Sequence, residues 1–208
     1  MFADDTSLNT SHKDTDTVQN ELQSSINEAS DWCDNDAMIL HPAKTKSMLV
    51  TARQKHQLRP LHLNLSLKDG HIEQVHEHRN LGVIINDELS WRPHIIGTCK
   101  TVSKNLYLLS QLKHFVDTPK RKLFYHAHIS SHPTYASTVW DGCSDILFNK
   151  LNSLHRRAAK LISDSSLSTS TKLRYLGILP LKEKLMFNKA VLLLVFKAYK
   201  NLAPPYLK

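Results

Sequence analysis

Asp4 and Asp5, in the opening stretch MFADDTS, are the residues of this chain best placed by type and spacing to do chemistry. Adjacent carboxylates at a turn between strands supply the hard oxygen ligands that Mg²⁺ prefers, usually one or two from protein. Ions held in that way activate an attacking oxygen and stabilise a leaving one in two-metal phosphoryl transfer. An acidic pair also arises by chance, so its meaning depends on what surrounds it. A second chemistry-bearing group is Arg156, Arg157 and Lys160, set beside an apolar helical stripe. Such cations either contact phosphates along a duplex or form a solvated helix face. His76-Glu77-His78 and His126-Ala127-His128 have metal-ligating side chains, but neither HExxH spacing nor a cysteine cluster accompanies them. In a chain with 13 histidines they read as surface residues. Tyr107, Tyr125, Tyr135 and Trp140 read as core aromatics, not as stacking platforms, and no nucleophile–base arrangement for acyl transfer stands out.

The elements that would position these residues follow from periodicity. Residues 14–33 form an amphipathic helix, with Val18, Leu22, Ile26, Ala29 and Cys33 on one face. Pro42 interrupts the segment after that helix, and Ser47–Thr51 is a short strand. Leu61, Leu63, Leu65 and Leu67 alternate with polar residues, Asp69-Gly70 supplies a hairpin turn, and His71–Val75 returns. Leu81–Ile85 is a continuous apolar run suited to a more buried strand. Beyond Trp91 the pattern turns helical. Ile95, Cys99, Val102, Leu106 and Leu109 form one stripe, and Asp117-Thr118-Pro119 marks a helix start. Ser144 caps a helix carrying Leu147, Leu151, Leu154, Ala158 and Leu161. Ser163–Thr171 is a connector, and a last helix runs from Leu181 to about Asn201, before Pro204-Pro205. The layout is an α+β front and an all-helical back, joined near residue 90.

Composition bounds the function classes. With 208 residues, 41% hydrophobic and 22% charged, the chain is an ordinary globular protein able to bury one substantial core or two small ones. A net charge of +8 makes a polyanion a plausible partner. Five glycines leave little room for Gly-rich phosphate loops. Cys33, Cys99 and Cys143 are odd in number and far apart, which fits a reducing compartment and no disulfide framework. The run Ala190–Phe196 is too short to span a bilayer, and the acidic, polar first turn is not expected to act as a signal peptide. An intracellular protein of nucleus or cytoplasm, not secreted and without a membrane partner, is expected.

The ordered set FADDT, amphipathic helix, LHPAKTKSMLV, β-hairpin and HRNLGVIINDELSWRPHI resembles the reverse transcriptase of non-LTR (LINE-type, jockey-like) retrotransposons. YASTVWDGCS, LHRRAAKLI, LGILPL and VFKAYKNLAPPYL extend the resemblance over nearly the whole chain. It implies the C-terminal part of a polymerase palm over residues 1–90, a helix on short antiparallel strands. An all-helical thumb and following region would occupy 91–208. Asp4 and Asp5 match the palm carboxylates, Asp4 the stronger metal ligand, and Phe2 takes the aromatic position beside the primer terminus. Lys44 matches the lysine near the incoming triphosphate, where a cation neutralises or protonates departing pyrophosphate; on its own it is a solvated lysine after a proline turn. Asn80, Leu81 and Gly82 match the primer-grip strand; otherwise they are an ordinary strand with a close-packing glycine. The implied partners are an RNA template and a DNA primer, and the implied cofactor is Mg²⁺. The family's palm takes a further metal-binding aspartate, and its fingers, from upstream of FADD, so Asp4 and Asp5 are expected to be half a site. The rival readings are a non-catalytic helical nucleic-acid-binding or interaction module from a decayed element, and a protein–protein adaptor.

The expected outcome of a primer-extension assay on the 208-residue chain, with Mg²⁺ or Mn²⁺, is no extension. Adding an upstream segment from the same element should restore activity, and Asp4→Asn should then abolish it. Polymerisation by the bare chain would overturn the half-site reading.

Overall fold

Residues 6–51, 62–68, 70–164, 166–200 and 202 are described by a computed structural model of the chain. The fold divides into two units, Met1–Leu89 and Ser90–Lys208.

In the first unit, α1 (Thr15–Asn35) starts where Asp14 Oδ2 accepts from the Thr17 backbone N–H at 3.0 Å and from its hydroxyl at 2.8 Å. These bonds hold the Asp14 carboxyl below its ordinary pKa. Val18 and Ile26 pack with Leu63, Leu65, Leu67 and Ile72 in one apolar cluster, with Leu22 at its margin. The alternation of residues 62–67 is therefore real: Leu63, Leu65 and Leu67 are buried, and His62, Asn64 and Ser66 are exposed. Leu61 and Asp69 lie outside the described residues.

Backbone groups on the outer edge of this segment are taken up by side chains. Asn64 N–H donates to Gln19 Oε1 at 2.8 Å, and Ser66 N–H to Gln23 Oε1 at 2.9 Å. Gln23 Nε2 in turn donates to the Ser66 carbonyl at 2.9 Å. Backbone N–H and C=O groups without a neighbouring strand need other partners, and α1 supplies them here.

Three two-stranded ladders complete the unit. Strand β1 (Lys46–Ser47) pairs with β4 (Glu73–Gln74), β2 (Ser66–Leu67) with β3 (Gly70–His71), and β5 (Glu77–Asn80) with β6 (Val83–Asn86). The expected return strand over 71–75 is split at Ile72, whose N–H donates to the Leu65 carbonyl at 2.9 Å. Before that point the chain pairs with β2, and after it with β1. The β1–β4 pair is parallel, not antiparallel as expected. The connection between Ser47 and Glu73 is long enough for the crossover that parallel pairing requires.

The second unit is helical. Its elements are α2 (Arg92–Leu112), α3 (Thr118–Phe124), a π-helical segment (Tyr125–Ser130), α4 (Ser131–Thr134), α5 (Ser137–Trp140), α6 (Asp145–Ile162), α7 (Thr169–Tyr175) and α8 (Leu181–Tyr199). Asp117 caps α3 as its sequence indicates, accepting from the Lys120 N–H. Ser144 stands at the N-cap of α6, although its side chain makes no capping bond. The connector after Ser163 is shorter than expected: α7 starts at Thr169 because Ser168 Oγ accepts from the Thr171 N–H. Gly177, at φ +63°, ends α7. Its N–H reaches the Arg174 carbonyl and the Ile178 N–H reaches that of Leu173, the double bond of a Schellman motif.

Two apolar clusters stabilise the unit. Val102, Leu106 and Leu109 of α2 meet Ala158 and Ile162 of α6, together with Tyr125 and Ile129. Ile95 meets Leu147, Leu151 and Trp140 at the other end. Helices α2 and α6 therefore run parallel, and Lys113 just beyond α2 reaches Asp164 just beyond α6 at 2.9 Å. Arg121 joins them. Its guanidinium grips Asp164 at 3.1 and 2.8 Å and donates to the carbonyls of Ile162 at 3.2 Å and Leu161 at 3.4 Å; its Nε donates to Val116 at 3.0 Å. These contacts, with Lys113, hold the Asp164 carboxyl far below the usual range. Only Leu181 and Leu185 of α8 are buried, and Val191–Phe196 is half-exposed throughout. Among the described residues no helix is long and apolar enough to cross a membrane.

Arg121→Ala leaves carbonyls of a buried helix end without their donor, so it should destabilise the helical unit by about 2–4 kcal/mol. Arg121→Lys should recover only part, because a point charge cannot serve all these acceptors. Urea unfolding followed by the fluorescence of buried Trp140 checks this; a loss below about 0.5 kcal/mol, the range of ordinary surface substitutions, would remove Arg121 from the role.

Candidate nucleic-acid interface

Phe2, Asp4 and Asp5 lie outside the described residues. Among those described, no group of three or more His, Cys, Asp or Glu is arranged to hold a metal ion.

Lys44 is exposed in the turn after Pro42, where its N–H donates to the His41 carbonyl at 3.0 Å. Two residues on, Lys46 Nζ meets Glu73 at 2.5 Å and lowers the pKa of that carboxyl, tying β1 to β4. Asn80 is the last residue of β5, opposite Val83. Leu81 and Gly82 are not in a strand, contrary to expectation. They form the two-residue hairpin turn, at φ +46° and +82°, and the strand begins at Val83. A tight hairpin needs positive φ at both central positions to match the twist of its strands. Glycine takes that conformation freely, whereas Leu81 is held in it and remains exposed. His76 and His78 are exposed, and His76 Nδ1 meets Asp87 Oδ2 at 2.7 Å, near the open end of the same hairpin.

In the helical unit, Arg156, Arg157 and Lys160 all lie exposed on α6. They face away from Leu151, Ala158 and Ile162, which enter the core. The helix thus presents three cations within little more than a turn, Arg156 and Lys160 being neighbours at a spacing of four. His126 and His128 sit in the π-helical segment. Burial lowers the His126 pKa, helped by Lys184 and Lys122, and the His128 ring lies 4.7 Å from Phe124. Tyr125 and Trp140 are core aromatics, at 1% and 0% exposure, as their sequence context indicates. Tyr107 and Tyr135 are not: they are 63% and 54% exposed. Helical spacing places Tyr107 outside the Val102–Leu106–Leu109 face, and Tyr135 stands at the extended C-cap after α4.

Sequence reasoning missed His155, which anchors α6 from beneath its basic face. It is 3% exposed, with Nδ1 3.0 Å from the Tyr125 hydroxyl and Nε2 3.2 Å from the Leu179 carbonyl. A carbonyl only accepts, so Nε2 carries the proton and Nδ1 accepts from Tyr125. Burial brings the imidazole pKa down to about 4, against a raising contribution from Leu179 and with help from the Lys184 charge. Burial also pushes the Tyr125 hydroxyl up to about 12. The pair is neutral at physiological pH and acts as a strut. The available signal was its place one turn after Leu151 on the inward stripe.

The chain is 22% identical over 167 residues to a probable RNA-directed DNA polymerase from transposon BS of Drosophila melanogaster. The match covers 78% of this chain and 18% of that protein, so the chain spans less than a fifth of its relative. The similarity supports a reverse-transcriptase-like relationship. No family model matches the chain, and no solved structure matches it.

Because the folded pKa of His155 lies below its ordinary value, the unfolded chain binds the extra proton. Its contribution to stability is therefore complete above about pH 6.5 and is lost as pH falls toward 4. At 1.36 kcal/mol per unit, that amounts to roughly 3 kcal/mol. Unfolding measured across this window should show the decline, and His155→Gln should flatten it; an unchanged slope in the variant would assign the acid sensitivity elsewhere.

Proposed function

We propose that this chain is the C-terminal polymerase portion of a non-LTR retrotransposon reverse transcriptase, its first unit part of a palm and its second a thumb and following region. The observation that carries this reading is the similarity to a transposon RNA-directed DNA polymerase over most of the chain. The exposed cations of α6 lend it physical support. In this reading Asp4 and Asp5 hold Mg²⁺, Lys44 lies beside the triphosphate, and Phe2, Asn80, Leu81 and Gly82 meet the primer end. Arg156, Arg157 and Lys160 grip the phosphates of an RNA–DNA duplex. Such contacts fix position without reading sequence, so binding is salt-sensitive and sequence-tolerant.

The half-exposed apolar run Val191–Phe196 favours a second reading, a protein–protein adaptor. The two separate in one titration of labelled RNA–DNA hybrid at two salt concentrations. The polymerase reading expects weak binding that falls steeply with salt. Replacing Arg156, Arg157 and Lys160 together by Gln should weaken it and flatten the salt slope by up to about one unit per lost contact. No binding at low salt would leave the adaptor as the better account.

A further inference from the structure

Helices α2 and α6 enclose a groove of about 510 Å³ on the flank of their contact. Its floor is apolar, made by Ile95, Ile96 and Cys99. Burial pushes the Cys99 thiol up, so the floor stays neutral. Its rim is cationic: Lys100 and Lys104 rise from α2, one turn apart, and Lys150 faces them from α6. None of these lysines forms an ion pair with a described carboxylate. Three cations without a described counter-charge around a neutral floor make a seat for a ligand with several separate negative charges and an apolar body.

Beyond the residues that line the groove, helical spacing sets two more in line with it. Ile96, Lys100, Ser103 and Tyr107 follow at spacings of four, three and four, so exposed Tyr107 continues the same stripe of α2. On α6, Lys150, Leu154 and Arg157 repeat that spacing, and the helices run parallel. An aromatic face and a further cation therefore lie beyond the end of the lysine rim. Packed helices have axes ~8–10 Å apart, so the furrow over their contact has the width of a single strand.

We propose that the α2–α6 groove binds a single-stranded nucleic-acid segment, with phosphates on Lys100, Lys104 and Lys150 and one base stacked on Tyr107. Cations tracking a backbone beside an aromatic platform are the elements of sequence-tolerant single-strand binding. The three lysines and Tyr107 are distinct from the duplex contacts assigned to Arg156, Arg157 and Lys160, Arg157 lying where the two adjoin, and the site rests on the same reading of the chain as a nucleic-acid binder.

The test uses the full chain, a labelled single-stranded oligonucleotide containing 2-aminopurine, and the RNA–DNA hybrid as the second arm. Lys100→Gln/Lys104→Gln/Lys150→Gln should weaken single-strand binding at least about tenfold and flatten its salt slope by up to about two units. Tyr107→Ala should abolish the stacking quench of 2-aminopurine and weaken binding by about fivefold or more, while Tyr107→Phe keeps both. Hybrid binding should persist in all three. All of these side chains are on the surface, and circular dichroism confirms that the variants fold. Single-strand binding unchanged in the lysine and Tyr107→Ala variants overturns the proposal, as does hybrid binding without single-strand binding; both leave the polymerase reading standing. Failure to bind either nucleic acid removes both.

Discussion

The helical unit depends on a buried arginine. Arg121 sits at 6% exposure, where an unpaired charge would be prohibitive, and its polar contacts fasten three pieces of chain. Val116 belongs to the segment before α3, Leu161 and Ile162 to the end of α6, and Asp164 to the connector beyond. Lys113 shares the same carboxylate from the end of α2. The C-terminal carbonyls of a helix have no partner within it, and Arg121 meets two of them on α6. With His155 held by Tyr125 and Leu179, α6 is anchored along its length. That anchoring lets its outward cations keep a fixed geometry.

Some of the basic residues serve one or other of these two uses. Lys46, Lys68, Lys113, Arg121 and Lys189 each meet a carboxylate and hold the fold together. Lys100, Lys104, Lys150, Arg156, Arg157 and Lys160 form no ion pair with a described carboxylate, and all six lie on α2 or α6. The net charge of +8 is therefore expressed partly as a field over one pair of parallel helices that no described carboxylate pairs with. A field of that kind speeds encounter with polyanions and fades with salt.

Where the sequence was legible, a local rule sufficed. The apolar spacing of α1, the alternation around Leu65 and the cap at Asp117 each rest on neighbours within a few residues. Legibility ended where distant contacts decided. Leu81 reads as strand by side-chain type, and only the pairing of Asn80 with Val83 forces it into a left-handed turn. The π-helical segment at Tyr125–Ser130 is likewise silent in the sequence, and it brings Tyr125 into reach of His155 thirty positions on. Tyr107 is exposed because its direction on α2 misses the buried stripe, which side-chain size alone does not reveal. For the candidate site, the cations of α6 were legible from spacing, whereas the groove needed α2 and α6 side by side.

The amides of Gln19 and Gln23 have a metric consequence. Four residues of helix advance about 6 Å at 1.5 Å each. Two residues of extended chain, such as that leading into β2, advance nearly 7 Å at about 3.2–3.4 Å each. The interval from Gln19 to Gln23 is therefore commensurate with that from Asn64 to Ser66, and α1 acts as a ruler laid along the strand. A slip of one residue would turn Leu63, Leu65 and Leu67 to solvent and, in the same step, put both amides out of phase with the backbone. The leucines and the glutamines thus select one alignment by independent means, one through the face of the strand and the other through its edge.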